Sequence, residues 1–296
     1  MDLPKISVIT ITYGHENYIL ETIKGVLSQN YEGKIEFIIA NDNSPDNTDS
    51  VVNNYLNEIK LPKNIKIKYI QHKENKGMMP NFFWALDQAK GKYIALCEGD
   101  DYWTDPLKLQ KQVDFLEENE DYNICFHKVY NRFLTEKALS VDKVIEERFE
   151  KIQKKEKINY QDLLIYGNFI HTCSVLFRRT LNEFPIEFQF SPAGDYLLHI
   201  LNSQNGYIHR IEEYMAVYRR DSGIFSTLST EKFIVARLNY LTAIFSMLEK
   251  GEDKKIIFDF IQKEYQNLIS YKRPEKEKGI KETCQILLNK IIAKIK

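Results

Sequence analysis

The sequence has few cysteines, no long apolar run and no excess of charge of either sign. Its four cysteines, Cys97, Cys125, Cys173 and Cys284, are widely spaced and form no CxxC pair, which argues against a zinc site and a disulfide framework. No stretch approaches the roughly 18 consecutive apolar residues of a membrane span. Residues 1–13 lead directly into an apolar strand, without the pattern of a signal peptide. We therefore expect a cytoplasmic protein with reduced cysteines.

The net charge of the 296-residue chain is close to zero, with 41 lysines and arginines against 42 aspartates and glutamates. Proteins that bind nucleic acid usually carry a basic excess, so we expect no nucleic-acid partner. Hydrophobic residues make up 43% of the chain and charged residues 28%, as in ordinary globular proteins. The length and the sequence pattern predict one domain over residues 1–228 and a helical extension over residues 229–296.

Apolar strands alternate with amphipathic helices in the first third of the chain. This alternation is typical of an α/β protein whose mostly parallel sheet is flanked by helices. Polar segments follow the strands at 12–15, 41–44 and 98–101, and we expect them to converge where ligands of such sheets bind. The predicted strands are 5–11, 35–40, 65–71 and 92–97, and the helices are 15–29, one beginning after the turn at 44–46, and 77–89.

The pattern changes after a predicted amphipathic helix at 105–119. The charged segment 146–162 is typical of a solvated loop or a surface helix. The other predicted elements are a strand at 171–179, a helix at 194–203, a hairpin at 206–220, and helices from about residue 231 onward.

Three carboxylates, Glu98, Asp100 and Asp101, stand within four residues at the end of the fourth strand. Like charges this close raise one another's pKa unless a cation or hydrogen bonds intervene. Oxygen-only ligands favour Mg²⁺ or Mn²⁺. The alternative is a turn in which Asp101 or Asp105 caps the helix that follows. This cluster alone leaves both interpretations open.

Four stretches in their order along the chain resemble family 2 glycosyltransferases, whose fold is called GT-A. They are ISVITITYGHENYILETIKGVLSQNY, IIANDNSPDNT, HKENKGMMPNFFWAL and GKYIALCEGDDYW. The resemblance covers roughly residues 5–225 and implies a GT-A nucleotide-sugar-binding domain with a C-terminal helical appendage. It also implies an inverting, metal-dependent transferase that uses Mn²⁺ or Mg²⁺ and a UDP-sugar donor.

The resemblance also assigns residues to the nucleotide. The backbone near Ile11 and the ring of Tyr13 hold the nucleobase, and Asp42 accepts the uracil N3–H. The chain departs from the family at Asn41, where an aspartate is usual. Further positions near the base, the ribose or the diphosphate are Glu74, Asn75, Gly77 and Asn81.

Glu98-Gly99-Asp100 takes the place of the family's Asp-x-Asp motif. By resemblance, Asp100 binds the metal ion, Glu98 faces the ribose, and Asp101 assists the metal or holds the loop. Asp221 replaces a histidine that reaches the metal or the diphosphate in the family, and Asp221 is a candidate ligand itself. Arg219 or Arg220 would offset its repulsion of the diphosphate.

Asp195, at a predicted helix start, corresponds to the catalytic base of inverting members, although a helix cap is the structural alternative. A carboxylate there can take the proton of an acceptor hydroxyl. Two further residues are ambiguous: Trp103 suits either a sugar ring or the core, and His171 either the acceptor or a structural hydrogen bond.

The resemblance implies transfer of a hexose or N-acetylhexosamine to a glycan or lipid-linked glycan of a bacterial surface polysaccharide. Residues 280–296 form a basic amphipathic pattern that suits peripheral membrane contact, packing on its own domain, or a homodimer. One alternative is a catalytically inactive relative acting as a scaffold or glycan-binding partner, which Asn41 and Asp221 would favour. A nucleotidyltransferase is the other, but TYGHENY (12–18) has one glycine and no basic residue for a phosphate loop.

Overall fold

The computed structural model describes residues 3–133, 136, 138–181, 183–220 and 228–272. Within them, nine strands form one mixed sheet in the order β3-β2-β1-β4-β8-β6-β9-β5, and β7 pairs with β6. The first half of the chain contains β1 Ile6–Thr12, α1 Ile19–Leu27, β2 Ile35–Asn41, α2 Thr48–Glu58, β3 Ile65–Gln71, α3 Met78–Asp87 and β4 Tyr93–Leu96. The next elements are β5 Tyr102–Trp103, α4 Lys108–Glu118, β6 Tyr122–Phe133, β7 Leu139–Val141, α5 Lys143–Glu150 and α6 Tyr160–Tyr166. They are followed by β8 Leu176–Arg178, α7 Gly194–Ser203, β9 Tyr207–Arg220, α8 Thr230–Met247 and α9 Gly251–Lys272.

The first four strands are parallel, as the strand–helix alternation predicts. β1 lies between β2 and β4, and β3 pairs with the outer side of β2. Successive side chains of a strand point to opposite faces, and helices bury both faces here. On one face Ile9 and Ile38 pack with α3 and α7, and on the other Val8 and Phe37 pack with α1 and α4. The parallel half therefore has the doubly covered form expected of its apolar strands.

The second half of the sheet is mixed. β8 is antiparallel to both β4 and β6, β9 is parallel to β6, and the short β5 is antiparallel to β9. The predicted strand at 171–179 is shorter in the structure, because a 3₁₀ turn, Thr172–Ser174, precedes β8. The charged segment 146–162 contains the end of α5 and the start of α6, and it buries Phe149 and Ile152.

The predicted hairpin at 206–220 is wrong, because β9 runs as one strand from Tyr207 to Arg220. A tight hairpin needs glycine, asparagine or proline at its turn, and residues 211–213 contain none of them. The pairing of β9 with β6 instead shifts register between the partners of His127 and Lys128. Glu212 and Glu213, the polar residues that the sequence pattern assigns to a hairpin turn, therefore lie in a β-bulge.

Helices α8 and α9 pack against the domain that precedes them. Leu241, Ile244 and Ile257 are buried and belong to the same apolar cluster as Ile9 of β1. The division between residues 1–228 and 229–296 stays a prediction, and the predicted basic helix at 280–296 lies outside the described residues. Among the helices in the described ranges, none combines the length and the apolar composition required to cross a membrane.

Lys108 is fully buried beneath the loop that follows β4. Its Nζ donates to Gln112 Oε1 (2.7 Å) and lies 4.1 Å from the centre of the Trp103 ring. Burial lowers the pKa of Lys108 to about 7, below its ordinary value. Between that pH and about 10.5 the unfolded chain binds a proton that the folded chain does not, so wild-type stability rises with pH there.

We expect Lys108→Met to abolish this rise. Above pH 7, the free energy of unfolding of wild type should increase relative to that of the variant by up to about 1.4 kcal/mol per pH unit. Urea denaturation between pH 6 and 9.5 measures it. Lys111→Met is the matched control: ion pairs raise the pKa of Lys111, so its removal leaves no slope in this window. Parallel curves for wild type and Lys108→Met would contradict the prediction.

Candidate active site

The exits of the first four strands lie side by side, as the three polar segments predict. Backbone hydrogen bonds join these exits, from Asp42 N–H to Thr12 (2.9 Å), from His72 N–H to Asn41 (2.9 Å) and from Gly99 N–H to Ile11 (3.0 Å). Parallel strands present their carboxyl ends at one edge, and this edge is the usual ligand site of such sheets. The structure thus brings the predicted nucleotide and acidic segments together.

The loop after β1 is anchored by side chains from the loop after β2 and from the first residue of α2. Three consecutive backbone N–H groups donate to these side chains: Gly14 to Ser44 Oγ, His15 to Thr48 Oγ1 and Glu16 to Asp46 Oδ2, each at 3.0 Å. Gly14 has φ +74°, a left-handed conformation that favours glycine. Tyr13, just before it, is 49% exposed, so its ring is accessible at the strand exit, and Ile11 is half-buried.

Asn41, the departure from the family pattern, has a structural role. Its Oδ1 accepts from the Ser44 N–H (2.9 Å) and the Ser44 hydroxyl (2.7 Å), which closes the turn after β2. Its Nδ2 donates to the Tyr69 hydroxyl (2.9 Å), which donates in turn to Asp49 Oδ1 (2.7 Å). Because Tyr69 gives its one proton to Asp49, position 41 must supply a donor, and an asparagine does.

We expect Asn41→Asp, which restores the family's usual residue, to destabilise this protein by about 1–3 kcal/mol. The variant loses the donor to Tyr69 and places a buried carboxylate near Asp49 and Asp42. Chemical denaturation measures the loss. Asn53→Asp is the control, because Asn53 also donates to Asp49 Oδ1 (3.0 Å) but is exposed, and it should cost less than about 0.5 kcal/mol. Equal stability of Asn41→Asp and wild type would refute the donor argument.

Asp42 organises the start of α3. Its two carboxylate oxygens accept the N–H groups of Lys76 (2.8 Å) and Gly77 (2.9 Å), and Asn75 Nδ2 donates to the Asp42 carbonyl (3.2 Å). Gly77, which donates to Asp42, has φ +87°, a backbone conformation that favours glycine. Three residues predicted at the nucleotide, Asp42, Asn75 and Gly77, therefore form one connected group.

Asn81 lies apart from that group, on the buried side of α3. It is 2% exposed, its Nδ2 donates to the Ala40 carbonyl (3.0 Å), and its Oδ1 lies 2.9 Å from His72 Nε2. Both ends of its amide are thus engaged within the protein. These contacts give Asn81 a structural role, and its assignment to the ligand stays a prediction.

The acidic loop after β4 brings Glu98, Asp100 and Asp101 together. One carboxylate oxygen from each residue lies within 4.8 Å of the others. Gly99 allows this packing, because a Cβ there would lie 2.6 Å from Thr12 Oγ1. The Thr22 hydroxyl ties the loop to α1 through the carbonyls of Gly99 (3.1 Å) and Asp101 (2.6 Å).

The electrostatics of this cluster suit a bound cation. Burial, with the charges of Asp100 and Asp195, raises the pKa of Glu98 to about 8. Burial, with the charges of Asp100 and Glu98, raises the pKa of Asp101 well above its usual value. Asp101 Oδ2 is buried and has no hydrogen-bond partner among the described residues. An all-oxygen set with an orphaned carboxylate oxygen suits a hard divalent ion, which would restore the ionised forms.

Arg219, near the end of β9, clamps the acidic loop. Its backbone N–H donates to Asp101 Oδ1 (2.8 Å), and its guanidinium binds the Asp100 carbonyl and the Glu21 carboxylate. The guanidinium also lies between the rings of Tyr18 (4.8 Å) and Tyr102 (4.7 Å). Arg219 is 4% exposed, so this residue supports the loop from beneath.

Arg220 has different partners. Its guanidinium binds the Asp142 carboxylate, which also lies 3.1 Å from His171 Nε2. Burial opposes the ionised form of Asp142, but the hydrogen bond with His171 and the charge of Arg220 outweigh it and lower the pKa of Asp142. His171 thus has the structural hydrogen bond that was one of its two interpretations. Asp221, the predicted metal ligand that follows Arg220, lies outside the described residues.

Asp195 is in the first turn of α7 and half-buried. Its Oδ2 accepts from Asn168 Nδ2 (3.1 Å) and from Thr172 Oγ1 (3.2 Å). No side-chain cap of α7 is present, which sets aside the helix-cap interpretation. Thr172 is followed by Cys173, whose carbonyl accepts from Trp103 just after the acidic loop (2.8 Å), so Asp195 lies near that loop, and its charge is one of the causes that raise the pKa of Glu98.

Two neighbours of the acidic loop correct or extend the sequence analysis. Trp103 is 3% exposed and its Nε1 donates to the Cys173 carbonyl (2.8 Å), so it packs beneath the loop and offers no ring to a sugar. His15 Nε2 lies 4.0 Å from Asp100 Oδ2, a contact that the sequence motifs do not predict. The position of His15, three residues after the end of β1 and therefore near the exit of β4, is the one sequence feature that indicates it.

A parallel half-sheet with a carboxylate cluster at its strand exits, continued by a mixed half with an acidic helix start, is the architecture of GT-A glycosyltransferases. The model of the family described as "Glycosyl transferase family 2" matches residues 7–184, more than half of the chain. The chain belongs to this family. The predicted family, fold class and enzyme class are confirmed.

The uncharacterized protein Rv1520 of Mycobacterium tuberculosis is 36% identical over 227 residues, which are 76% of this chain and 62% of Rv1520. This chain therefore spans less than two thirds of that relative's length. WfaP of Escherichia coli, a UDP-Glc:alpha-D-GlcNAc-diphosphoundecaprenol beta-1,3-glucosyltransferase, is 28% identical over 241 residues, 81% of this chain and 86% of WfaP. The structure of S. aureus TarS 1-349 in complex with UDP-GlcNAc is similar in fold, with a TM-score of 0.62 and 19% identity, covering 88% of this chain and 73% of TarS.

Proposed function

We propose that this protein is an inverting glycosyltransferase that moves a hexose or N-acetylhexosamine from a UDP-sugar to a hydroxyl group of a glycan. One observation carries the proposal: Asp195 lies near the acidic loop, although 94 positions along the chain separate it from Asp101, because the Thr172 that donates to it adjoins Cys173, whose carbonyl accepts from Trp103. The acidic loop would provide ligands for the cation of a donor, and Asp195 would provide a base for an acceptor. Such a pair has little use in a protein that only binds glycans.

The donor would lie across the exits of β1, β2 and β4. The accessible ring of Tyr13 would stack on the base, beside the backbone of Ile11. Each oxygen of Asp42 accepts one backbone N–H and keeps a second acceptor position, which suits the N3–H of uracil. Asn75 and Gly77, joined to Asp42, would border the base and the ribose. The name of WfaP, which specifies UDP-Glc, supports a uridine donor.

Asp100 and Asp101 would hold Mn²⁺ or Mg²⁺, and Glu98 would face the ribose beside Gly99. Asp221 stays a candidate ligand by resemblance. A divalent cation bound there would offset the negative charge that develops on the donor diphosphate. The clamp by Arg219 keeps the loop in place, and Glu98 and Asp101 lose their raised pKa values when a cation shares their site.

The proposed reaction is a single displacement at the anomeric carbon. Asp195 takes the proton of the acceptor hydroxyl while the hydroxyl oxygen forms a bond to that carbon. The bond from the anomeric carbon to the diphosphate oxygen breaks, and its electron pair leaves with UDP. Attack from the opposite face inverts the anomeric configuration, so no covalent intermediate on the protein is needed.

The proposed acceptor is a growing bacterial surface glycan, either free or linked to a lipid. WfaP acts, by its name, on a diphosphoundecaprenol-linked sugar, and TuaG of Bacillus subtilis is a putative teichuronic acid biosynthesis glycosyltransferase. We place the catalytic unit in residues 1–228 and the protein in the cytoplasm. Peripheral membrane contact through residues 280–296, and homodimer formation, belong to the same proposal.

A donor screen tests the proposed function. Purified protein is incubated with UDP-, GDP-, dTDP- and CMP-sugars, with and without Mn²⁺, and release of the nucleoside diphosphate or monophosphate is measured. We expect turnover or binding of at least one UDP-sugar and dependence on the cation. No response to any UDP-sugar would overturn the proposal. Since contacts within the protein explain Asn41, that residue gives no support to the inactive alternative.

A further inference from the structure

The carboxylate of Asp195 is held by one oxygen only. Asn168 Nδ2 (3.1 Å) and Thr172 Oγ1 (3.2 Å) both donate to Oδ2, and Oδ1 accepts no hydrogen bond from the described residues. Two donors on one oxygen fix the rotation of a carboxylate about its Cβ–Cγ bond. The two donors therefore leave Oδ1 free to accept a proton from one defined direction.

The orientation of the Asn168 amide follows from its other contacts. Its Oδ1 accepts the backbone N–H of Ile170 (3.1 Å), which can only donate, so the Nδ2 end must point to Asp195. His199 Nδ1 lies 3.4 Å from the same Oδ1, and burial lowers the pKa of His199 to about 4. A neutral His199 that donates from Nδ1 keeps the amide in this orientation.

The backbone around these two donors is also anchored. Arg148 Nη1 donates to the Asn168 carbonyl (2.7 Å), and Gly167, in a left-handed conformation at φ +78°, ends α6 just before Asn168. Thr172 opens the 3₁₀ turn Thr172–Ser174, which lies one residue before β8. One donor thus sits in a 3₁₀ turn and the other just past the end of α6 on backbone held by Arg148, and small rotations of Asp195 are restricted.

We propose that Asn168 and Thr172 are positioning residues that orient Asp195, so that Oδ1 is the atom that takes the acceptor proton. This inference rests on the proposed function. A general base must lie within hydrogen-bond distance of the proton that it removes, and misplacement by about 1 Å costs about 10²-fold in rate. Loss of either donor therefore lowers the rate of the proton-transfer step and leaves donor binding unchanged.

The test compares Thr172→Val, which removes the hydroxyl at constant shape, with Thr172→Ser, which retains it. We expect Thr172→Val to lower kcat for transfer about 10- to 30-fold, with KM for the donor and UDP affinity within about twofold of wild type. Thr172→Ser should restore most of the rate. Thr180→Val is the matched control, because the Thr180 hydroxyl also bonds a side chain, Asn202 Oδ1 (3.2 Å), away from the site.

A double-mutant cycle separates positioning from general support of the structure. In an Asp195→Asn background, measured in single turnovers with excess enzyme, Thr172→Val should cost no further rate, because the group that it orients is gone. Asn168→Asp keeps the acceptor for Ile170 but removes the donor to Asp195, and it should lower kcat at least as much as Thr172→Val. If Thr172→Val does not fold, Asn168→Asp takes its place in the test.

Three results would overturn the inference while the proposed function stands. The first is a wild-type kcat in both Thr172→Val and Asn168→Asp, and the second is that Thr172→Val lowers the rate by the same factor in the Asp195→Asn background as in wild type. The third is that the variants lose UDP affinity and keep kcat. If wild-type protein itself turns over no nucleotide-sugar, the proposed function fails, and the inference fails with it. Wild-type turnover in the same assay therefore tells the two failures apart.

Discussion

Asp195→Asn is expected to lower the rate of glycosyl transfer by about 10³-fold or more, because the site then has no group to accept the hydroxyl proton. The asparagine oxygen can take the place of Oδ2 and accept from Asn168 and Thr172, so the fold is retained. UDP affinity should stay within about threefold of wild type, since Asp195 is not among the residues proposed to hold the nucleotide.

The measurement pairs a transfer assay with calorimetric titration of UDP. Asp121→Asn is the control, because it makes the same chemical change at an exposed carboxylate bound to Lys157. It should leave the rate unchanged. A collapse of UDP binding in Asp195→Asn would instead mark Asp195 as a structural residue, and an unchanged rate would remove it from the mechanism.

Asp100→Asn is expected to lower cation-dependent donor turnover at least about 10²-fold, because the amide replaces a charged ligand by a neutral one. The Mn²⁺ concentration needed for half-maximal activity should rise about tenfold or more. Its neighbours Glu98 and Asp101 remain, so residual binding of the cation is expected. Mn²⁺ titrations of donor turnover and of UDP binding measure both effects.

Asp105→Asn is the matched control for Asp100. Asp105 follows the acidic loop but is not one of the three clustered carboxylates: it accepts the Leu107 N–H (2.7 Å) and binds Lys111 (2.8 Å). It should change the Mn²⁺ response by less than about twofold. The same response in Asp100→Asn as in wild type would shift the metal assignment to Glu98 and Asp101.

The parallel half of the fold was predictable because each of its strands and helices has a local sequence signal. The strands are continuous apolar runs, and the predicted limits of β3 match the structure residue for residue. The polar segments at their ends converge because parallel strands must present their carboxyl ends together. Asp42 and the acidic loop could therefore be placed beside one another before any contact was known.

The second half was less predictable because its signals are tertiary. β9 continues through Glu212 and Glu213 only because β6 accommodates a bulge, which no local pattern announces. Trp103 is buried through contacts with Cys173 in the 3₁₀ turn before β8 and with β9, which lie 70 or more residues further along the chain. Asn168 and Thr172 have no motif, and only their distances to Asp195 reveal them.

The support of the acidic loop by Arg219 has a consequence for the order of folding. The loop belongs to the first hundred residues or so, but its clamp and its strand partner, β9, are made more than a hundred residues later. Contacts of such long sequence separation form late, after the entropy of closing the intervening chain has been overcome. A growing chain therefore contains its whole parallel half before the residues that support the carboxylate cluster have been synthesised. The acidic loop can acquire its clamp only once β9 exists, close to the end of residues 1–228.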